Sequence, residues 1–322
     1  MQAVQNFEVL HRYGKDDLAI LYIADYQGNI VEFVESVQPP VPRDEKWVII
    51  LSTLYGCPMK CLMCDAGEYY KGIISKEGML AQIDHIVAQR YPDRVIPIKK
   101  LKIQFARMGE PTLNPAVLDL LREMPQIYQA PGLLPCLSTV APIGGAEFLE
   151  SLISIKNHLY SRGQFQIQFS IHSTDEILRK QLINPHIWTM KQIAEFGERW
   201  VNLEEGDRKI TLNFAVAEQS TIDPGIIAEI FDPSKYLIKI TPINPTNRAV
   251  SNKIISAITE ENSQNYPLAE DFRKLGFETI LSIGEWEENQ IGSNCGQFAT
   301  QYYHGKVKLK ADYQCNDYKL TK

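Results

Sequence analysis

The chain has no apolar run long enough to cross a bilayer. Stretches such as Trp47 to Leu51 fall far short of the ~20 residues a spanning helix needs. Its first residues, Met-Gln-Ala-Val-Gln-Asn-Phe-Glu, contain neither the basic start nor the apolar centre of a secretory signal. Positive charge is in deficit: 33 lysines and arginines stand against 39 aspartates and glutamates, a formal charge of −6. A dedicated nucleic-acid binder usually carries a basic face, so DNA is not an expected partner and a large RNA footprint is disfavoured. Cysteine is scarce, with six in 322 residues, and three crowd between positions 57 and 64. That distribution does not make the disulfide framework of a small secreted domain. Low-complexity tracts and internal repeats beyond a strand–helix alternation are also missing. These absences lead us to expect a cytoplasmic protein in a reducing environment, with no membrane partner.

What is present centres on residues 56–67, Gly-Cys-Pro-Met-Lys-Cys-Leu-Met-Cys-Asp-Ala-Gly. Cys57, Cys61 and Cys64 have the spacing C-x3-C-x2-C. A loop of this kind can hold three corners of a [4Fe–4S] cube, whose full complement is four cysteines. Three leave one iron open to a reactant. In S-adenosylmethionine (SAM) chemistry the open iron takes the methionine amine and carboxylate. An electron then breaks the sulfonium to give a 5′-deoxyadenosyl radical, and the protein binds, orients and shields. The alternative is structural zinc, which prefers four nitrogen or sulfur ligands and commonly pairs two short arms. No second arm is evident nearby.

The rest of the chain reads as an α/β fold, a partial (β/α)6 TIM-like radical SAM barrel. Residues 1–46 form an N-terminal extension, 47–290 the barrel core, and 291–322 a C-terminal segment carrying Cys295. Leu18 to Ala24 and Ile30 to Val37 read as a hairpin turning at Gln27-Gly28-Asn29. Trp47 to Tyr55 is a strand that delivers the chain into the cysteine loop. Ser75 can cap a helix with Leu80, Ile83, Ile86 and Val87 on one face. Strands near 100–105, 133–138, 165–171, 210–216 and 236–240 then alternate with helices at 115–124, 146–158, 189–202 and 224–231, the pattern of a parallel sheet with covering helices. A further helix at 266–276, a strand at 278–283 and an edge strand at 306–310 follow. In such barrels the reacting residues sit at the C-terminal ends of strands.

The candidate residues fall at those ends. Met108-Gly109-Glu110-Pro111 follows the second barrel strand: glycine admits a ligand close to the backbone, and Glu110 can accept hydrogen bonds from an ammonium. Ser138 and Thr139 end the third strand, Ser170, Ile171 and His172 the fourth, and Asn244 follows the sixth. Taken singly, Gly-Glu-Pro reads as a turn and His172 as a structural histidine. Cys295, in Ser-Asn-Cys-Gly-Gln-Phe, is either a buried thiol or a nucleophile whose thiolate attacks a methyl sulfonium.

In this order the segments resemble the radical SAM adenine methyltransferases of rRNA and tRNA and their antibiotic-resistance relatives, the RlmN/Cfr family. The resemblance runs from about Val31 to Phe298 and includes Val34-Glu35-Ser36-Val37, the cysteine loop, Met108 to Pro111 with Asn114, Leu137 to Thr139, Ser170 to His172 with Arg179, Ile243 to Pro245, and Cys295-Gly296-Gln297. It implies that Cys57, Cys61 and Cys64 hold the cluster. It also implies that Gly109, Glu110, Ser138, Ser170, Ile171, His172 and Asn244 bind SAM, that Glu35 is a proton acceptor, and that Cys295 is a methyl carrier. In the implied mechanism Cys295 takes a methyl from one SAM. The radical from a second SAM strips a hydrogen from that methyl, and the carbon adds to an electron-poor sp2 carbon. A low-potential electron donor of the flavodoxin or ferredoxin type is the implied partner.

Three departures stand out. The family's second cysteine, seven residues before the first cluster cysteine, is Ile50 here. Cys136 and Cys315 are the remaining thiols that could stand in. The family's N-terminal RNA domain is reduced to the short stretch ahead of Val31, and the chain is acidic. The expected substrate is therefore a small molecule, nucleotide or peptide rather than RNA. RNA adenine methylation, hydrogen abstraction without a Cys295 role, and a non-enzymatic iron–sulfur protein are the alternatives.

Overall fold

The structure, a computed structural model, describes residues 6–293, 297–304 and 315–320. Cys295 and the strand expected at 306–310 lie outside these residues.

Three antiparallel strands come first: β1 (Phe7–Lys15), β2 (Ala19–Tyr26) and β3 (Asn29–Ser36). The expected hairpin is β2–β3, turning at Gly28, whose N–H is bound by the Asp25 carboxylate at 2.8 Å. β1 was not expected. Its Phe7, Val9 and Leu10 only lean on the core, while Tyr13 joins it.

β3 pairs with β4 (Trp47–Leu51), so the extension and the barrel share one ten-stranded sheet. The cysteine loop is then clipped at its base by a small ribbon of β5 (Leu54–Gly56) and β6 (Tyr70–Ile73). From β4 the sheet continues in parallel through β7 (Leu101–Phe105), β8 (Leu133–Thr139), β9 (Gln166–Ser170), β10 (Ile210–Val216), β11 (Tyr236–Pro242) and β12 (Glu278–Leu281). β12 carries the arc one strand past the six expected.

Helices α1 (Lys76–Val87), α2 (Ala116–Ile127), α3 (Ala146–Leu159), α4 (Glu176–Leu182), α5 (Met190–Trp200) and α6 (Pro224–Ile230) come between strands β6 and β11. Ser75 caps α1 by accepting the Gly78 N–H at 3.2 Å. Four more follow β11: α7 (Asn247–Ser251), α8 (Pro267–Lys274), α9 (Trp286–Ile291) and α10 (Gln297–His304). α4, α7, α9 and α10 escaped the sequence reading because they are too short to show a periodicity.

Strand alternation sorts the side chains. Leu101, Ile103, Phe105, Ile167, Phe169, Leu212 and Phe214 join the helix-side core. The residues between them turn to the inside of the arc, where they are largely polar. α10 closes the circuit: Tyr303 accepts the Ile30 N–H at 2.8 Å, and Phe298 stacks on Tyr13 at 5.4 Å. α10 thus docks on the N-terminal strands. Among the described residues no helix is long and apolar enough to cross a membrane.

Candidate active site

Gly56 starts the cysteine loop at φ +82°, and a Cβ there would lie 2.0 Å from the Tyr69 carbonyl. Only glycine lets the two ends of the loop close together, where Cys57 N–H meets the Tyr69 carbonyl at 3.0 Å. The loop's outward carbonyls are then taken up by distant elements. Arg248 donates to Cys61 at 3.2 Å and Lys60 at 3.1 Å, Thr246 to Met63 at 2.7 Å, and Asn252 to Leu62 at 2.8 Å. From below, Asp65 binds the N–H groups of Asn247 and Arg248 at 3.1 and 2.8 Å. The loop's carbonyls are therefore braced from outside by the side chains of Arg248, Thr246 and Asn252. The sequence reading missed this brace; a run of Thr-Asn-Arg after Asn244 resembles any polar turn.

The loop roofs a cavity of about 490 Å³ at the strand ends. Cys57, Cys61 and Cys64 line it together with Gly109, Glu110, Ser138, Ser170, His172 and Asn244. Ile171 is fully buried and does not reach it. Gly109 has φ +97°, and a Cβ there would strike Leu54 at 2.4 Å. Glu110 is tightly held: Oε1 accepts from Thr112 Oγ1 at 2.7 Å and Thr139 Oγ1 at 2.6 Å, and Oε2 from the Val140 N–H at 3.0 Å. Oε2 keeps lone-pair capacity toward the cavity. His172 Nδ1 accepts the Ala215 N–H at 3.0 Å, so the neutral ring carries its proton on Nε2. Burial, reinforced by Arg179, holds this histidine down at about 4, and it offers the cavity a donor and no charge.

Burial pushes the Cys57 thiol up to about 11 and raises Cys61 as well. Neither is a thiolate until a metal displaces its proton. Among the described residues, no three His, Cys, Asp or Glu side chains are close enough to hold a single ion. The donor set, three thiols around one cavity on a braced loop, fits three irons of a [4Fe–4S] cluster, and Glu110, His172 and Asn244 line the same cavity.

Glu35 is not brought to the cavity. The pleat turns it with Phe33 toward the helix layer, where it accepts from Tyr22 Oη at 2.6 Å and Trp47 Nε1 at 3.1 Å and pairs with Arg90 at 3.3 Å. The carboxylate that faces inward from β3 is Glu32, fully buried and 2.6 Å from Arg107. Arg107 also donates to the carbonyls of Gly292, at 3.1 Å, and Ser293. Glu32 takes the Ala299 N–H at 2.6 Å. This pair grips the chain on both sides of residues 294–296. Ile50 lies opposite Val34 on the inner face, and Cys136 is buried in β8 two residues below Ser138.

A second carboxyl the sequence reading passed over, Glu288, lines the cavity and accepts from Ser293 Oγ at 3.2 Å. Burial pushes it up to about 7. A group raised from 4.5 to about 7 favours the fold at low pH, and that advantage is lost as pH rises through 7. Relative to Glu288→Gln, the wild type should lose about 2 kcal/mol between pH 5 and pH 8. Urea unfolding of both proteins at the two pH values checks this, and a constant gap would contradict it.

The open parallel arc with covering helices is a fold shared with a solved radical SAM methyltransferase. The chain overlays a radical SAM methyltransferase from Sphaerobacter thermophilus with a TM-score of 0.69 at 17% identity, covering 91% of this chain and 81% of that one. In sequence it resembles the RlmN-type methyltransferases. It is 30% identical over 226 residues to the probable dual-specificity RNA methyltransferase RlmN of Synechococcus sp. (strain CC9311), covering 69% of this chain and 60% of that protein. The RlmN of Parasynechococcus marenigrum (strain WH8102) is 29% identical over 191 residues, covering 58% and 52% respectively. The match thus spans little more than half the length of these relatives. No protein-family model matches the chain.

Proposed function

We propose that the chain is a radical SAM enzyme that transfers a one-carbon unit, carried on Cys295, to an sp2 carbon of its substrate. What supports the reading is the single cavity that gathers Cys57, Cys61 and Cys64 with Glu110, Ser138, Ser170, His172 and Asn244. When bound, a [4Fe–4S] cluster and SAM, fed by a low-potential electron donor, supply a carbon radical able to abstract hydrogen. The chain's own residues do the rest. Glu110 takes the ammonium of the cofactor, while Ser138, Ser170 and Asn244 meet its polar groups. The Nε2–H of neutral His172 donates without adding charge. Glu288, poised near neutrality, takes the proton from the substrate carbon, the role the family resemblance gave to Glu35, and returns it to the new CH2 as the bond from that carbon to Cys295 Sγ breaks, one electron from the low-potential donor leaving the sulfur a thiolate. The Arg107–Glu32 pair fixes Ser293 and Ala299, and so sets where Cys295 is delivered.

Intact-protein mass spectrometry after anaerobic incubation with SAM and reductant tests the carrier role. One methyl on Cys295 is expected, with 5′-deoxyadenosine still formed by Cys295→Ala. An unmodified Cys295 despite SAM turnover would sink it. A second reading, RNA adenine methylation, is favoured by the names of the relatives, which are RNA methyltransferases. Methylated adenine in rRNA or tRNA treated with the enzyme would decide for it.

A further inference from the structure

A closed parallel barrel fills its interior with branched apolar side chains. The inside of this arc is different. Below the cysteine loop Gln104 from β7, Gln168 from β9, Asn213 from β10 and Lys239 from β11 line the cavity, and Lys102 lies two residues before Gln104 on the same row of β7. Asn213 and Lys239 are direct neighbours in the strand register. Asn213 is 7% exposed, yet its Oδ1 has no hydrogen-bond partner, and neither does the inward Oγ1 of Thr211. A buried acceptor left without a donor is unusual and calls for a ligand or water.

Glu110 and Glu288 also line this cavity, yet neither Lys239 nor Lys102 forms an ion pair among the described residues. The groups acting on Lys239 are Lys102, Lys46 and the Cys136 thiol, with no carboxylate among them. Burial and these like charges press Lys239 down to about 8, and burial does the same to Lys46 at the lower rim. Gathering ammonium groups in a low-dielectric interior is unfavourable unless an anion joins them. The acidic balance of the whole chain makes this internal patch a local feature rather than a spill-over of surface charge.

We propose that this lumen is the substrate-recognition site, and that the substrate is a small molecule with a terminal oxyanion, carboxylate or phosphate monoester. The oxyanion sits between Lys239 and Lys102. An N–H or O–H of the same molecule donates to Asn213 Oδ1, and Gln104 and Gln168 read its polar edge. The site deepens the radical SAM reading and rests on it, since it lies directly beneath the cluster loop. A phosphodiester would have to enter and leave through the lumen on both sides of its phosphate. A terminal oxyanion needs one entrance only.

The test is calorimetric titration of the anaerobic, cluster-loaded full chain with matched probes: adenosine 5′-monophosphate against adenosine, nicotinate against nicotinamide, and a short adenine-bearing RNA stem–loop. At least one charged probe should bind about tenfold more tightly than its neutral counterpart. The phosphate and carboxylate arms identify which oxyanion is held. Lys239→Met and Lys102→Met should each erase that preference, and Lys239→Arg should keep part of it. Two methionine variants guard against one failing to fold. The proposal is overturned if no charged probe is preferred, if both methionine variants keep the preference, or if Lys239→Met weakens the RNA as much as the small anions. Failure of the wild type to cleave SAM, with the preference intact, would instead sink the enzymatic reading and leave the anion site standing.

Discussion

Alanine at Cys57, Cys61 or Cys64, one at a time, is expected to remove nearly all cluster iron and all 5′-deoxyadenosine formation while leaving the fold in place. The two outcomes separate because side chains from outside the loop brace its backbone. Arg248, Thr246 and Asn252 hold its carbonyls, and Asp65 holds the start of α7. Cys61 and Cys64 are only half-buried, so trimming either costs no more than about 1 kcal/mol of packing. A cube held by three protein anchors, by contrast, cannot spare one. Iron and sulfide analysis with a melting curve for each variant checks this. Full iron content in any one of them would show that its thiolate is not a ligand.

Arg107→Met should be strongly destabilising. It strands the Glu32 carboxylate at 0% exposure with no cation, a defect worth about 3–5 kcal/mol. The double variant Arg107→Met with Glu32→Gln should recover most of that loss, because the buried charge is then gone. It should not recover carbon transfer, since the carbonyls of Gly292 and Ser293 lose their donor and the chain leading to Cys295 loses its hold. Denaturant unfolding and Cys295 methylation, measured side by side, separate the two effects. If the double variant methylates Cys295 at the wild-type rate, the pair is a piece of packing and has no part in delivering the thiol.

Much of this was legible in the sequence, for physical reasons that differ from one element to the next. The cysteine loop could be read because thiolate spacing is a chemical requirement. The parallel strands could be read because each carries a helix-facing row such as Ile210, Leu212 and Phe214. The hairpin announced itself through Gly28. Glu35 was named through resemblance, and the pleat then put it on the wrong face. The period-two alternation that pairs Val34 with Ile50 already placed Glu32 on the inner row. Lys102 and Lys239 were invisible because a lysine in a strand normally marks a solvent-facing edge. Only the curvature of the sheet turns them inward. Arg107 lay one residue before the Met-Gly-Glu-Pro segment and gave no sign that it reaches a stretch nearly two hundred positions away. Long-range pairs of this kind have no local signature.

The most direct measurement is the quantity of 5′-deoxyadenosine formed from SAM by the oxygen-free, reduced wild-type protein. The account predicts formation that rises in step with iron content up to a full [4Fe–4S] cluster for each chain. A protein that carries the full cluster and returns its SAM intact would contradict it.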